Sequence, residues 1–203
     1  MKENGKEDAQ AKKQQEQALQ NWLRLVLTVL KGEFEEYEVG GKIAGHPLFG
    51  PLFIFRLKQG ETVYECGFLI NELVTNFKQK SNPGQWLASF FVEMLGDPAG
   101  RPLPDAPKTE QQAKNLFEEV VIPVCEANVR EEFPDQTVHM RVIMHQEHGA
   151  MLEAGFPVIK EGNNTCAVPL QYLLTLYLLN RDPSEPVTGA LHRIWDAHVN
   201  PVH

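Results

Sequence analysis

Cysteine is scarce: only Cys66, Cys125 and Cys166 occur in 203 residues. The count is odd and the spacing fits no metal-ligand pattern, which excludes a disulfide framework and a cysteine-based zinc site. Reduced thiols in a cytoplasmic protein are the expectation. Basic residues are also few, 19 Lys and Arg against 27 Asp and Glu, for a net charge of −8. That balance argues against a non-specific grip on nucleic acid, whose affinity comes from neutralising phosphates, and against an anionic membrane surface. It favours solubility and basic partners. Long apolar runs are missing. The longest, Ala167 to Leu179, contains Pro169 and Gln171 and is too short to span a bilayer, so it is expected to be a buried helix. Met1 to Gln20 is polar and has no apolar core of a secretory signal. Without secretion, the glycosylation match Asn163-Asn164-Thr165 has no meaning. There is no Gly-x-Ser-x-Gly elbow, and Gly40-Gly41-Lys42 lacks the spacing and the Ser or Thr of a phosphate-binding loop.

What is present is a composition of ordinary globular kind, 42% apolar and 23% charged, long enough for one large domain or two small ones. Certain stretches recur. Glu65-Cys66-Gly67-Phe68 returns as Glu153-Ala154-Gly155-Phe156. The stretch from Pro83-Gly84-Gln85-Trp86 returns from Pro169-Leu170-Gln171-Tyr172, and both continue to an Asp-Pro pair, Asp97-Pro98 and Asp182-Pro183. The expectation is an internal duplication related by a pseudo-two-fold.

Periodicity fills in the elements. Leu19, Trp22, Leu23, Val26, Leu27 and Leu30 mark one helix face, ending near Gly32. Phe34 to Val39 suits a short strand, with breaks at Gly40-Gly41 and Gly45-His46-Pro47. Strands over 52–58 and 62–68 flank a tight turn at Gln59-Gly60. Helices follow over 69–80 and 85–95. Four prolines between Gly96 and Lys108 mark a linker. In the second half, Thr109 is a candidate N-cap, Pro123 should kink the helix that follows, and 137–145 with 150–159 form a second hairpin. Helices over 172–179 and 187–198 close the chain. The fold class is therefore α+β: a duplicated unit of helix, antiparallel β-hairpin or meander, and helix. The domains are a polar N-terminal tail at 1–15, a first repeat at 16–98, a Pro-rich linker at 99–108, and a second repeat with a C-terminal helix at 109–203. This order of elements resembles small secretion-chaperone-like α+β domains.

Both hairpins place Arg on the outer face of the first strand and Glu on that of the second, Arg56 with Glu65 and Arg141 with Glu153, as diagonal structural ion pairs. The densest polar cluster is His139, Arg141, His145, Glu147 and His148; its imidazoles and carboxylate, joined by Glu153, are candidate ligands for a divalent metal. His192 and Asp196 share a helix face, with His198 and His203 beyond, as a second metal arm or general-base pair. Among the thiols, Cys66 and Cys125 fall on apolar faces, which leaves Cys166 as the candidate nucleophile. Trp86, Phe90, Phe91, Tyr172 and Tyr177 supply more aromatic surface than a thin two-layer unit needs, and Phe77 adds to it. A surplus would line an apolar groove between the repeats. The functional expectation is a non-catalytic cytoplasmic binding or chaperone-like module, needing no cofactor, for a protein partner or a small apolar ligand. The alternatives are a metal-dependent enzyme centred on the His139–His148 hairpin and a small-molecule sensor domain.

Overall fold

A computed structural model describes residues 4–47, 49–160 and 164–200. The chain divides into two compact units, Met1–Leu103 and Pro104–His203.

The first unit opens with helix α1, Asn4–Glu33. The polar segment expected as a tail is thus helical from Asn4 onward. Its apolar stripe works as the spacing implies: Leu23, Val26 and Leu30 are buried in the first core. A meander of three antiparallel strands follows, β1 (Glu38–His46), β2 (Gly50–Gln59) and β3 (Thr62–Leu69), in the order β1-β2-β3. Strand β1 runs through Gly40-Gly41, where a break was expected. A Cβ on Gly41 would lie 3.1 and 3.2 Å from side-chain carbons of Leu27 and Leu23, so the glycine is what lets α1 settle on the sheet. The β2–β3 turn consists of Gly60-Glu61, with Gly60 at φ 61°, as a two-residue hairpin requires. Phe53, Phe55, Leu57, Tyr64, Cys66 and Phe68 face the helices and are buried. Helices α2 (Ile70–Gln79) and α3 (Pro83–Leu95) complete the unit. Asn82 caps α3 by accepting from Gln85 N at 3.1 Å.

Residues beyond α3 stay attached to the sheet. Arg101 N donates to Val63 O, and Glu65 N donates to Arg101 O, both at 2.9 Å. The Pro-rich segment therefore begins by covering the outer edge of β3.

In the second unit Thr109 caps α4 (Glu110–Leu116), accepting from Gln112 N at 3.2 Å. The helix passes through a π turn, Phe117–Val121, into α5 (Ile122–Glu132). Pro123 has no N–H to continue the ladder, and the widened turn directly before it is how the helix accommodates that loss. Strands β4 (His139–His145), β5 (Gly149–Gly155) and β6 (Thr165–Pro169) form a second antiparallel meander, ordered β4-β5-β6. Helices α6 (Leu170–Leu178) and α7 (Glu185–Val199) follow. The apolar run from Ala167, expected as one helix, is thus split: its first residues are strand, and α6 starts after Pro169.

Both units therefore read helix, three-stranded meander, helix, helix. The registers correspond as well. Facing residues Ile43 and Phe53 in the first sheet match Val142 and Leu152 in the second; Phe55 and Cys66 match Ala154 and Cys166. His46 and His145 end their strands 99 positions apart, and four positions after each stands a glycine of positive φ, Gly50 at 73° and Gly149 at 69°. In each case the residue before that glycine packs on the histidine, Phe49 tilted against His46 at 5.0 Å and His148 stacked on His145 at 4.8 Å between centroids. Leu69 and Pro169 lead from strand into helix with the same extended backbone, φ −64° and −58°. This register is not the one the recurring tetrapeptides suggest. Glu65-Cys66-Gly67-Phe68 lies on the third strand of its sheet, whereas Glu153-Ala154-Gly155-Phe156 begins on the second of the other. Gln85 and Gln171 likewise fall on non-corresponding helices, α3 and α6.

Candidate functional site

A cleft of about 750 Å³ lies within the second unit. Its helical wall comes from α5. Glu126, Val129 and Arg130 recur at three- and four-residue steps and so share one face of the helix, and Phe133, the residue that ends it, extends that wall. The opposite wall is the start of β4 with the end of β5: Val138, His139, Met140 and Arg141, then Glu153 and Gly155. Val129, Phe133 and Phe156 are buried members of the second core and give the cleft an apolar floor. The Phe133 ring meets Phe156 edge-on at 5.3 Å, and Trp195 packs behind Phe156 at 5.0 Å. Gly155 allows the chain to close on itself here, since a Cβ would come within 2.5 Å of Asn164 O.

Charges at the rim are matched in pairs. Arg141 Nη2 lies 2.6 Å from Glu153 Oε1, and Arg130 lies 3.6 Å from Glu126. The cleft thus presents apolar surface with hydrogen-bonding edges and little net charge. A smaller depression on the outer face of the first sheet, about 280 Å³, is lined by Glu38, Lys42, Ile54, Arg56, Lys58 and Glu65. Glu65 is buried there. Burial by itself raises its carboxyl, but hydrogen bonds from Arg56 and from the Leu103 N–H, with the charges of Arg56 and Lys42, hold it below the ordinary value. Both Arg–Glu pairs are directly opposite across their ladders, not diagonal. They do not correspond: Arg56–Glu65 joins the second and third strands, Arg141–Glu153 the first and second.

The hairpin histidines divide into two places. His145 and His148 stack at the β4–β5 turn, and Glu147 N donates to His145 Nδ1 at 3.2 Å, which makes that nitrogen an acceptor. His139 stands at the other end of β4, about 20 Å away at strand spacing. Among the described residues no group of three His, Cys, Asp or Glu side chains comes together as a metal site. His192 turns to Glu132, with Nε2 3.1 Å from Oε2, and its ring packs tilted against Phe133. His198 packs against Trp195, and His203 lies outside the described residues.

All three cysteines are free thiols, Cys66 and Cys125 buried and Cys166 half-buried. Burial, followed by the Asp182 carboxylate, pushes the Cys125 thiol up to about 12. Burial also raises Cys166, the thiol the sequence leaves as the most open to reaction, because it lies on β6 beside Ala154 rather than in an open turn. The surplus aromatics pack inward. Phe91 is fully buried, Trp86 and Phe90 pack on the first core, and Tyr172 and Tyr177 pack on the second. The large cleft is lined by other residues. Its floor, Val129, Phe133 and Phe156, carries no signal in the sequence beyond that of ordinary core.

No family model, curated protein or solved structure matches the chain. No described helix is long and apolar enough to cross a membrane.

Proposed function

We propose that this chain is a non-catalytic binding protein whose second unit holds an extended segment of another polypeptide, in the manner of a chaperone-like module. The observation that carries the reading is the cleft between α5 and the β4–β5 ladder: apolar at its floor, polar at its rim, with its rim charges already paired. A neutral, partly apolar channel with strand edges suits a peptide, whose side chains fill the floor while its backbone bonds the rim. Raised thiols and the scattered histidines favour binding over catalysis. Three free thiols fit a reducing cytoplasm.

The two units are, in this reading, copies of one ancestral meander unit. Support comes from the shared strand order, the shared register and the matching His-x-x-x-Gly loops. Duplication would let one copy keep its helical cover while the other opens a binding face. In the first unit α1 lies over β1, whereas in the second α5 packs chiefly on α7, and β4 has no comparable cover.

Selection of random displayed peptides on the immobilised protein tests the binding reading. Peptides should be recovered whose binding falls at least tenfold on Met140→Glu, with circular dichroism confirming that the variant is folded. Failure to recover binders, or binders indifferent both to Met140→Glu and to Arg130→Glu, would sink it.

A further inference from the structure

Strand β4 is bonded to β5 on one side, and among the described residues nothing pairs with its other backbone edge. Proteins usually guard such an edge with a lysine, a proline, a bulge or a covering segment. Among the described residues strand β4 has none of these. Its seven residues run in an unbroken ladder, and its one permanent cation, Arg141, is held by Glu153 of its own sheet. The helix side of the strand is also bare: Val142 is 49% exposed and Met144 78% exposed, although Leu152 and Ala154 on the same side of β5 are buried.

The strand is close to a palindrome. His139-Met140-Arg141-Val142-Ile143-Met144-His145 reads nearly the same in both directions about Val142. We propose that β4 pairs antiparallel with β4 of a second copy of this chain, about a two-fold axis through Val142, joining two three-stranded sheets into one. The helix side then meets its own kind, while on the outer side Arg141, held by Glu153 of its own sheet, lies across from Ile143 of the other copy. On the helix side Val142 faces Val142 of the other copy, and Met140 faces Met144, which makes an apolar ladder across the join. On the outer side His139 faces His145. No unpaired permanent charge meets another along the strand, so its charge pattern is compatible with self-pairing. A two-fold interface uses each contact twice.

The contact is small. Seven residues extend about 24 Å at strand spacing, and one strand edge falls short of the roughly 800 Å² per partner typical of stable complexes. The dimer therefore forms weakly and reversibly, with a dissociation constant on the order of tens of micromolar. This pairing does not depend on the cleft being a peptide site, although it brings His145 of the second copy beside His139 at the cleft's rim.

Sedimentation of the full chain, without any ligand, from low to high micromolar concentration should show a monomer–dimer equilibrium. Val142→Lys sets two ammonium groups against each other at the axis and should raise the dissociation constant about tenfold or more. Met144→Lys, at a more exposed position, serves as the second variant should Val142→Lys disturb folding. Register is read by cross-linking. Under mild oxidation Val142→Cys should form a disulfide-linked dimer, whereas Met144→Cys should do so only when mixed with Met140→Cys. A chain that stays monomeric throughout, a dimer that both lysine variants leave intact, or a Val142→Cys chain that cross-links no better than Met144→Cys alone overturns the proposal.

Discussion

Arg56→Ala and Arg141→Ala remove similar ion pairs and should differ in cost. Arg56 donates from Nε at 2.9 Å and from Nη2 at 2.7 Å to one oxygen of Glu65, whose other oxygen accepts from Leu103 N at 3.2 Å. The Glu65 side chain is only 11% exposed, so removing the guanidinium takes two charge-assisted hydrogen bonds from one oxygen of a largely buried carboxylate. Hydrogen bonds to a charged group contribute about 1.5–3 kcal/mol, and Arg56 is itself half exposed, so we expect a loss of about 2 kcal/mol. Arg141 and Glu153 are 72% and 21% exposed, and this pair should cost at most about 1 kcal/mol. Urea denaturation reads both variants. Trp22 and Trp86 pack on the first core and Trp195 on the second, so a Trp195→Phe background isolates the unit that contains Arg56. Acid sharpens the test. Because the folded Glu65 carboxyl lies below its ordinary value, its contribution is full above the ordinary carboxyl range and is lost as pH falls through the lowered value. The Arg56→Ala penalty should therefore be complete near neutrality and shrink in acid. Equal losses for the two variants, or a penalty that grows on acidification, would refute the reasoning.

Two further outcomes follow from packing. Gly155→Ala drives a methyl to within 2.5 Å of a backbone carbonyl and should destabilise the second unit by about 1–3 kcal/mol, read as a lowered urea midpoint for Trp195 fluorescence. Thiol titration of native protein near pH 8 should find Cys125 unreactive and Cys166 slow, while denaturation without reductant should release all three; a prompt native reaction at Cys125 would contradict its burial.

Much of this architecture was legible in the residues. Helix stripes, both hairpins, the Thr109 cap and the partnership of each Arg with its Glu, though not their direct opposition, follow from spacing alone. The errors have physical causes. A glycine pair looks like a break unless one knows that Leu23 and Leu27 press on it. A short apolar run such as Cys166 to Leu170 has no period of its own, so strand and helix merge. The tetrapeptide recurrence misled because any strand entering a core with Gly-Phe looks like another. The correspondence that the fold displays rests on His46 with His145, Gly50 with Gly149 and Cys66 with Cys166. These positions are too sparse to stand out before the registers are known. The cleft was invisible because its floor is made of residues that also build the core.

The segment after α3 has a practical consequence for anyone dividing this chain. Proline content suggests cutting anywhere from Gly96 to Lys108, yet Arg101 bonds both Val63 and Glu65, and Leu103 bonds the Glu65 carboxylate. Gly100 is also wedged against Val63, with φ 78°. A fragment ending at Leu95 would strip β3 of its cover and leave an aromatic-rich sheet with an open flank, the usual starting point for aggregation. One ending after Leu103 would keep that flank closed. The useful boundary therefore lies within the few residues from Pro104 to Lys108, and fragments cut earlier would report on a damaged edge rather than on the unit itself.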